Sequence, residues 1–131
     1  MTDDAVIDHV GIATADADAL VDLYTDLLGC ERAHSEAVDG MIAVFLDLGT
    51  GYLELLEPVD DGAISRYLDA HGPGVHHLAV ATDDVGAALD RARACGVELA
   101  DEEPRPGAWG HEVAFLHPAD TGGVLIEFVG R

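Results

Sequence analysis

The chain has 131 residues, 49% of them hydrophobic, and carries 26 acidic side chains against six basic ones, all arginine. A formal net charge of −20 speaks against a nucleic-acid partner, because phosphate backbones demand clustered positive charge. The absence of lysine removes P-loop and Schiff-base mechanisms, and no window approaches the roughly 20 apolar residues of a membrane span.

A chain of this size makes one compact domain, able to bury about two-thirds of the surface its unfolded form exposes. The opening segment MTDDAVIDH is acidic and offers no positive leader, so the cytoplasm is the expected compartment. The acidic residues are spread along the chain rather than gathered in one block. That distribution suits a solvated surface in concentrated salt, a halophilic adaptation, where screening over a few ångströms tames self-repulsion.

In chain order, alternation predicts a strand over 6–13. A helix follows from about Asp16 to Leu28, with Ala19, Leu20, Leu23, Tyr24 and Leu27 near one face. Strands are expected over 32–38, 41–48 and 51–57, punctuated by Gly40 and the Gly49-Thr50-Gly51 turn. From Pro58 to Gly74, turn residues surround a short connecting helix, ISRYLDAH. The segment TDDVGAALDRARACG is a second amphipathic helix, followed by strands near 97–102, 111–117 and 123–129. Asp16 and Asp83 are the expected helix caps, and Gly29 and Gly96 the stops. Cys30 and Cys95, beside those glycines, are expected to be two small buried thiols rather than a disulfide.

This order is one plan stated twice. IDHVGIAT from Ile7 returns as VHHLAVAT from Val75, Val44-Phe45-Leu46 answers Ala114-Phe115-Leu116, and YLELLEP from Tyr52 answers VLIEFVG from Val124. The offset drifts from 68 residues at His9 and His77 to 73 at Glu54 and Glu127, which places the length changes in loops. The fold class is therefore α+β: a single domain of two tandem βαβββ modules, about 5–58 and 74–130, with a connector over 59–73. The two modules should form a curved sheet around a cleft.

His9, His77, Glu54 and Glu127 are the candidate metal ligands. A glutamate inside an apolar strand costs several kcal/mol to bury unless it is paired or bound to a cation. Alternation leaves another reading open, in which Glu54 and Glu127 face water. Recurrence of both residue types at equivalent places in both modules favours the metal. Two imidazoles and two carboxylates suit a divalent first-row ion such as cobalt, manganese, nickel, iron or zinc, and four protein ligands on a six-coordinate ion leave two positions for a substrate with two oxygens. His76 alternates to the face opposite His77, His34, His71 and His117 read as surface or loop residues, and His111 is ambiguous.

Nearly the whole chain, from IDHVGIAT through GYLELLEP, VHHLAVATDD, DEEPRPGAWG and AFLHPADTGGVLIEFV, resembles the methylmalonyl-CoA epimerases of the glyoxalase or vicinal oxygen chelate superfamily. The stretch EEPRPGA, followed by FLHP and TGGVLIE, is the more specific part. The resemblance implies that His9, Glu54, His77 and Glu127 match the four ligand positions, with Glu54 where some relatives carry Gln. It also implies interconversion of (2R)- and (2S)-methylmalonyl-CoA by proton abstraction at C2 through a metal-stabilised enolate, with an acyl-CoA as substrate and a homodimer as the assembly. Glu127 is the first candidate base, since a carboxylate beside the metal can take the proton when its pKa lies near the working pH. Some relatives carry a second catalytic Glu on the strand that here reads GMIAVFLDLG. Ala43 occupies that position, which leaves the second base unassigned among Glu54, His111 and water. Arg105 is the candidate for a substrate carboxylate or a coenzyme phosphate, and equally a surface arginine pairing with Glu102 or Glu103. The alternatives are another metalloenzyme of this superfamily, such as a glyoxalase I-like lyase, and a metal-free binding or resistance protein.

Overall fold

The computed structural model describes residues 5–131. Its elements run β1 (Val6–Ala13), α1 (Ala17–Leu28), β2 (Glu31–Val38), β3 (Met41–Asp47), β4 (Tyr52–Pro58), α2 (Ala63–His71), β5 (Gly74–Thr82), α3 (Val85–Ala94), β6 (Arg105–Pro106), β7 (Glu112–Phe115) and β8 (Ile126–Gly130). The βαβββ order therefore occurs twice, with α2 between. Two compact units divide the chain, one formed by His9–His76 and the other by His77–Arg131 with the start of β1 up to Asp8.

In the first unit the strands lie in the order β2-β3-β4-β1. β1 runs parallel to β4, as a strand reached through a crossover helix must, and the β2–β3 and β3–β4 pairs are antiparallel. The β3 side chains divide between the two faces. Val44 and Leu46 pack with Ala17 and Val21 of α1, Cys30 and Leu55 into the unit's core, while Ala43 and Phe45 take the opposite face and are also buried. A strand buried on both faces reads as one apolar run.

The second unit repeats this with the order β5-β8-β7-β6. Ala114 and Leu116 pack against Val85, Leu89 and Ala92 of α3, and Ala79, Val113 and Val129 make a smaller cluster. Among the described residues no helix is long and apolar enough to cross a membrane.

Helices α1 and α3 start alike. Asp16 Oδ1 accepts from the Ala19 amide at 3.1 Å, and Thr14 Oγ1 accepts from the Asp16 amide at 3.1 Å. In α3 the cap is Asp84, not Asp83: its Oδ1 accepts from the Ala87 amide at 3.0 Å, with Thr82 Oγ1 accepting from the Asp84 amide at 3.3 Å. The threonine two residues ahead of the cap sets the frame, and it carries Asp16 onto Asp84.

Two other expectations are corrected. No regular strand covers 97–102, where only a Leu99–Leu116 bridge forms, and the edge strand is the two residues Arg105–Pro106. The reason is local. Asp101 Oδ2 accepts from the Phe115 amide at 2.9 Å, and the Ala100 and Asp101 amides both donate to the Phe115 carbonyl, so a side chain takes over part of the ladder. Of the cysteines, Cys30 is buried in the core beneath α1, whereas Cys95 is exposed at the C-cap of α3, and both are free thiols.

Candidate metal and active site

The buried polar side chains include His9, Glu54, His77 and Glu127, each at most 7% exposed. The water-facing reading of the two glutamates fails on that figure. Each unit brings its own histidine and glutamate together: His9 Nε2 stands 3.2 Å from Glu54 Oε1, and His77 Nε2 stands 3.3 Å from Glu127 Oε1.

Strand register explains both meetings. Glu54 lies across from Phe45 in the β3–β4 ladder and beside Gly11 in the β1–β4 pairing, so its neighbour on β1 has no side chain to fill the space. Glu127 lies across from Phe115 and beside Ala79. Each phenylalanine also meets its unit's histidine edge to face, His9 with Phe45 at 5.6 Å and 88°, His77 with Phe115 at 5.6 Å and 84°. The rings fix the imidazole tilt and keep water from the donors. A histidine, a glutamate and an aromatic wall on the sheet face turned away from the helix are thus built twice from the same register.

The donors are imidazole nitrogen and carboxylate oxygen, converging in pairs in a dry setting. A buried His–Glu pair of that kind carries a desolvation cost of several kcal/mol that coordination to a divalent cation offsets. The residues present therefore fit the metal expected from sequence.

Arg105 stands next to the second pair. Its guanidinium lies over the Phe115 ring, 5.5 Å from the centroid, and its acidic partner is Asp101 at 3.1 Å rather than Glu102 or Glu103. His111 Nε2 meets Arg131 Nη1 at 2.7 Å, and its ring meets Trp109. His76 packs edge to face on Tyr67, and His117 Nδ1 accepts from the Ala119 amide. His34 departs from the surface assignment: it is half-buried on β2, Nε2 2.8 Å from Glu36 Oε1, with its ring 6.2 Å from Phe45. Sequence reasoning missed this pair. The alternation His34, Glu36, Val38 was visible, but which face it took was not.

The model of the Glyoxalase/Bleomycin resistance protein/Dioxygenase superfamily matches residues 8–115. The ethylmalonyl-CoA/methylmalonyl-CoA epimerase of Cereibacter sphaeroides is 36% identical over 92% of this chain and 94% of its own. Among solved structures, the methylmalonyl-CoA epimerase of Mycobacterium tuberculosis superposes with a TM-score of 0.90 at 39% identity, covering 95% of this chain and 86% of that one. A methylmalonyl-CoA epimerase solved in complex with methylmalonyl-CoA and NH4+ superposes with a TM-score of 0.89 at 42% identity, covering 95% and 93%. The chain belongs to the glyoxalase superfamily and, within it, to the family of the methylmalonyl-CoA epimerases.

Proposed function

We propose that the protein is a metal-dependent epimerase that interconverts the two C2 epimers of methylmalonyl-CoA. The observation that carries this reading is the duplicated buried pair, His9 with Glu54 and His77 with Glu127, in a chain 42% identical to an epimerase solved with that substrate. The four side chains together would hold one divalent cation, cobalt first among the candidates. When bound, it supplies positive charge to the oxygens on which negative charge develops as the C2 proton leaves.

The chain's own residues do the rest. Glu127, on β8, is the carboxylate that takes the C2 proton, and the electron pair left behind passes into the thioester carbonyl. Phe45 and Phe115 exclude water from the donors, which strengthens each electrostatic contact there. Arg105, held by Asp101 over Phe115, is the cation that meets the substrate carboxylate or a coenzyme phosphate. The expected assembly is a homodimer in the cytoplasm, and light scattering on the purified protein reads the oligomeric state directly.

The test is to incubate the protein with (2S)-methylmalonyl-CoA in D2O, with a divalent metal and with chelator, and to follow C2 by NMR. Deuterium entry with inversion, abolished by chelator, is the expected result. Metal-loaded protein that gives neither, while turning over a glutathione hemithioacetal, would assign it to the lyases of the superfamily instead.

A further inference from the structure

The second unit closes its outer hairpin in a way the first does not. In the first, β2 and β3 are joined by Asp39 and Gly40, both at positive φ (49° and 74°), the turn that a two-residue hairpin favours and that these residue types adopt readily. In the second, the connection between β6 and β7 runs from Gly107 to His111 and carries Trp109 at φ 62° and ψ 24°. Because the fold is one plan built twice, the longer connection is not what closing the sheet requires. A bulky residue persists in the left-handed region only where its surroundings over-determine it, and such residues gather at ligand clamps.

Arg131 supplies those surroundings. Its Nε and Nη2 donate at 2.6 and 3.2 Å to the two carboxylate oxygens of Asp8, which is buried on β1. Its third contact leaves that strand: a guanidinium only donates, so Nη1 donates to His111 Nε2 at 2.7 Å. The central carbon of the same guanidinium lies over the Trp109 ring, 4.9 Å from the centroid, and that ring meets the His111 ring at 6.3 Å. One cation thus ties a buried carboxylate to both ring-bearing side chains of the loop.

What the loop carries is Arg105. β6 consists of Arg105 and Pro106, held to β7 by the Arg105–Val113 and Pro106–Glu112 pairings, so it has little ladder of its own to fix it. It runs straight into the loop, where the Gly107 amide donates to the His111 carbonyl at 2.8 Å, next to the imidazole that Arg131 holds. The Arg105 guanidinium lies 5.5 Å from the Phe115 centroid, and Phe115 meets His77 edge to face. Every link from Arg131 to the His77–Glu127 pair therefore lies within one compact unit.

We propose that Arg131 is a positioning residue for substrate binding: by gripping Asp8, His111 and Trp109 together it fixes the 107–111 loop and so keeps the Arg105 guanidinium over Phe115, where it meets an anionic group of an acyl-CoA. The proposal rests on the epimerase reading above and on the role given there to Arg105. The loss it predicts is one of binding rather than of chemistry, since Arg105 meets charge that the substrate carries before and after C2 gives up its proton.

Steady-state epimerisation of methylmalonyl-CoA by the metal-loaded protein tests this. Arg131→Ala should raise KM at least about 10-fold, the loss of one charge-assisted contact, with kcat within about twofold of the unsubstituted protein. Arg105→Ala should do the same, and the double variant should be no worse than either alone, because Arg131 acts through Arg105. Propionyl-CoA as a competing ligand tells the two anions apart: it lacks the carboxylate, so its inhibition constant rises in Arg131→Ala only if Arg105 meets a phosphate. Fluorescence of Trp109, the chain's one tryptophan, should shift to the red in Arg131→Ala as the loop loosens. Trp109→Gly serves if Arg131→Ala does not fold, since glycine takes positive φ without strain, and it should raise KM by a similar factor. A lowered kcat at unchanged KM, effects that multiply in the double variant, or an emission maximum unmoved by Arg131→Ala would each overturn the assignment. Arg105→Ala with an unchanged KM would overturn it together with the role given to Arg105. Failure of the epimerase reading shows in the unsubstituted protein, which would then neither exchange nor invert, and the assignment would fall with it.

Discussion

His77 Nε2 and Glu127 Oε1 stand 3.3 Å apart with both side chains more than nine-tenths buried, and the pairing exists because β8 places Glu127 across from Phe115, whose ring meets His77 edge to face. The same glutamate is asked to ligate and to move a proton. Glu127→Gln keeps the size and an oxygen donor but cannot accept the C2 proton. Exchange in D2O of the epimer whose C2 proton Glu127 takes, and inversion in either direction, should fall by at least about 100-fold, while titration with Co2+, followed by visible absorption, should still give binding. Near-normal exchange would remove Glu127 from the chemistry.

Metal loading should also read out as stability. A ligand that binds only the folded chain, at 100 times its dissociation constant, adds about 2.7 kcal/mol. Calorimetry should show Tm rising with Co2+ and falling back with chelator, and Glu54→Ala should weaken the response. One ion per chain by elemental analysis is the expected stoichiometry. Two ions per chain would mean that each His–Glu pair binds by itself.

How much of this was legible in the sequence depends on what each residue's signal was. The histidines and glutamates stood out because a polar residue in an apolar strand recurs at equivalent places, and the structure gives each of the four the burial that reading needs. The caps were legible to within a residue: Asp83 and Asp84 are adjacent and chemically alike, and only the Thr82 hydroxyl contact selects the second. The span 97–102 misled because Val97 and Leu99 alternate as a strand would, yet Asp101 supplies a hydrogen bond where the ladder would continue. The His34–Glu36 pair was invisible for a sharper reason. A one-residue bulge decides which face a strand presents, and nothing in the residues between Arg32 and His34 announces it.

Gly107, in the loop that most closely resembles the epimerases, is held there by a neighbour. A Cβ at 107 would meet Val113 Cγ1 at 2.6 Å and Cγ2 at 2.8 Å, closer than carbon atoms approach without displacement. The backbone cannot retreat easily, because the Gly107 amide donates to the His111 carbonyl at 2.8 Å. Gly107→Ala should therefore cost about 1–3 kcal/mol, read as a lowered denaturant midpoint with an unchanged m-value. Gly107→Ala with Val113→Ala should recover part of the loss, since the second change removes the clashing methyls.

Arg131 clamps the start of β1. Its Nε donates to Asp8 Oδ1 at 2.6 Å and Nη2 to Oδ2 at 3.2 Å, and its guanidinium lies 4.9 Å from the centre of the Trp109 ring. Asp8 is 7% exposed, so removing the guanidinium takes a two-point charged partner from a buried carboxylate. Arg131→Ala should cost about 3 kcal/mol, and Asp8→Asn in the same chain should return part of it, because the neutral amide tolerates burial better. Additive losses in that double-mutant cycle would show that the two side chains do not depend on each other.

The charge balance predicts the response to salt. With a formal net charge of −20 on 131 residues, the folded chain holds its carboxylates closer together than the unfolded one does, so repulsion weighs more heavily on the folded state. Screening shortens from a Debye length of about 10 Å at 0.1 M to about 3 Å at 1 M. Tm should rise as NaCl is raised across that range. Potassium chloride should act like sodium chloride, because screening does not distinguish the cations. A Tm that falls, or that climbs only with one cation, would mean that specific ion contacts rather than general repulsion control the stability of this surface.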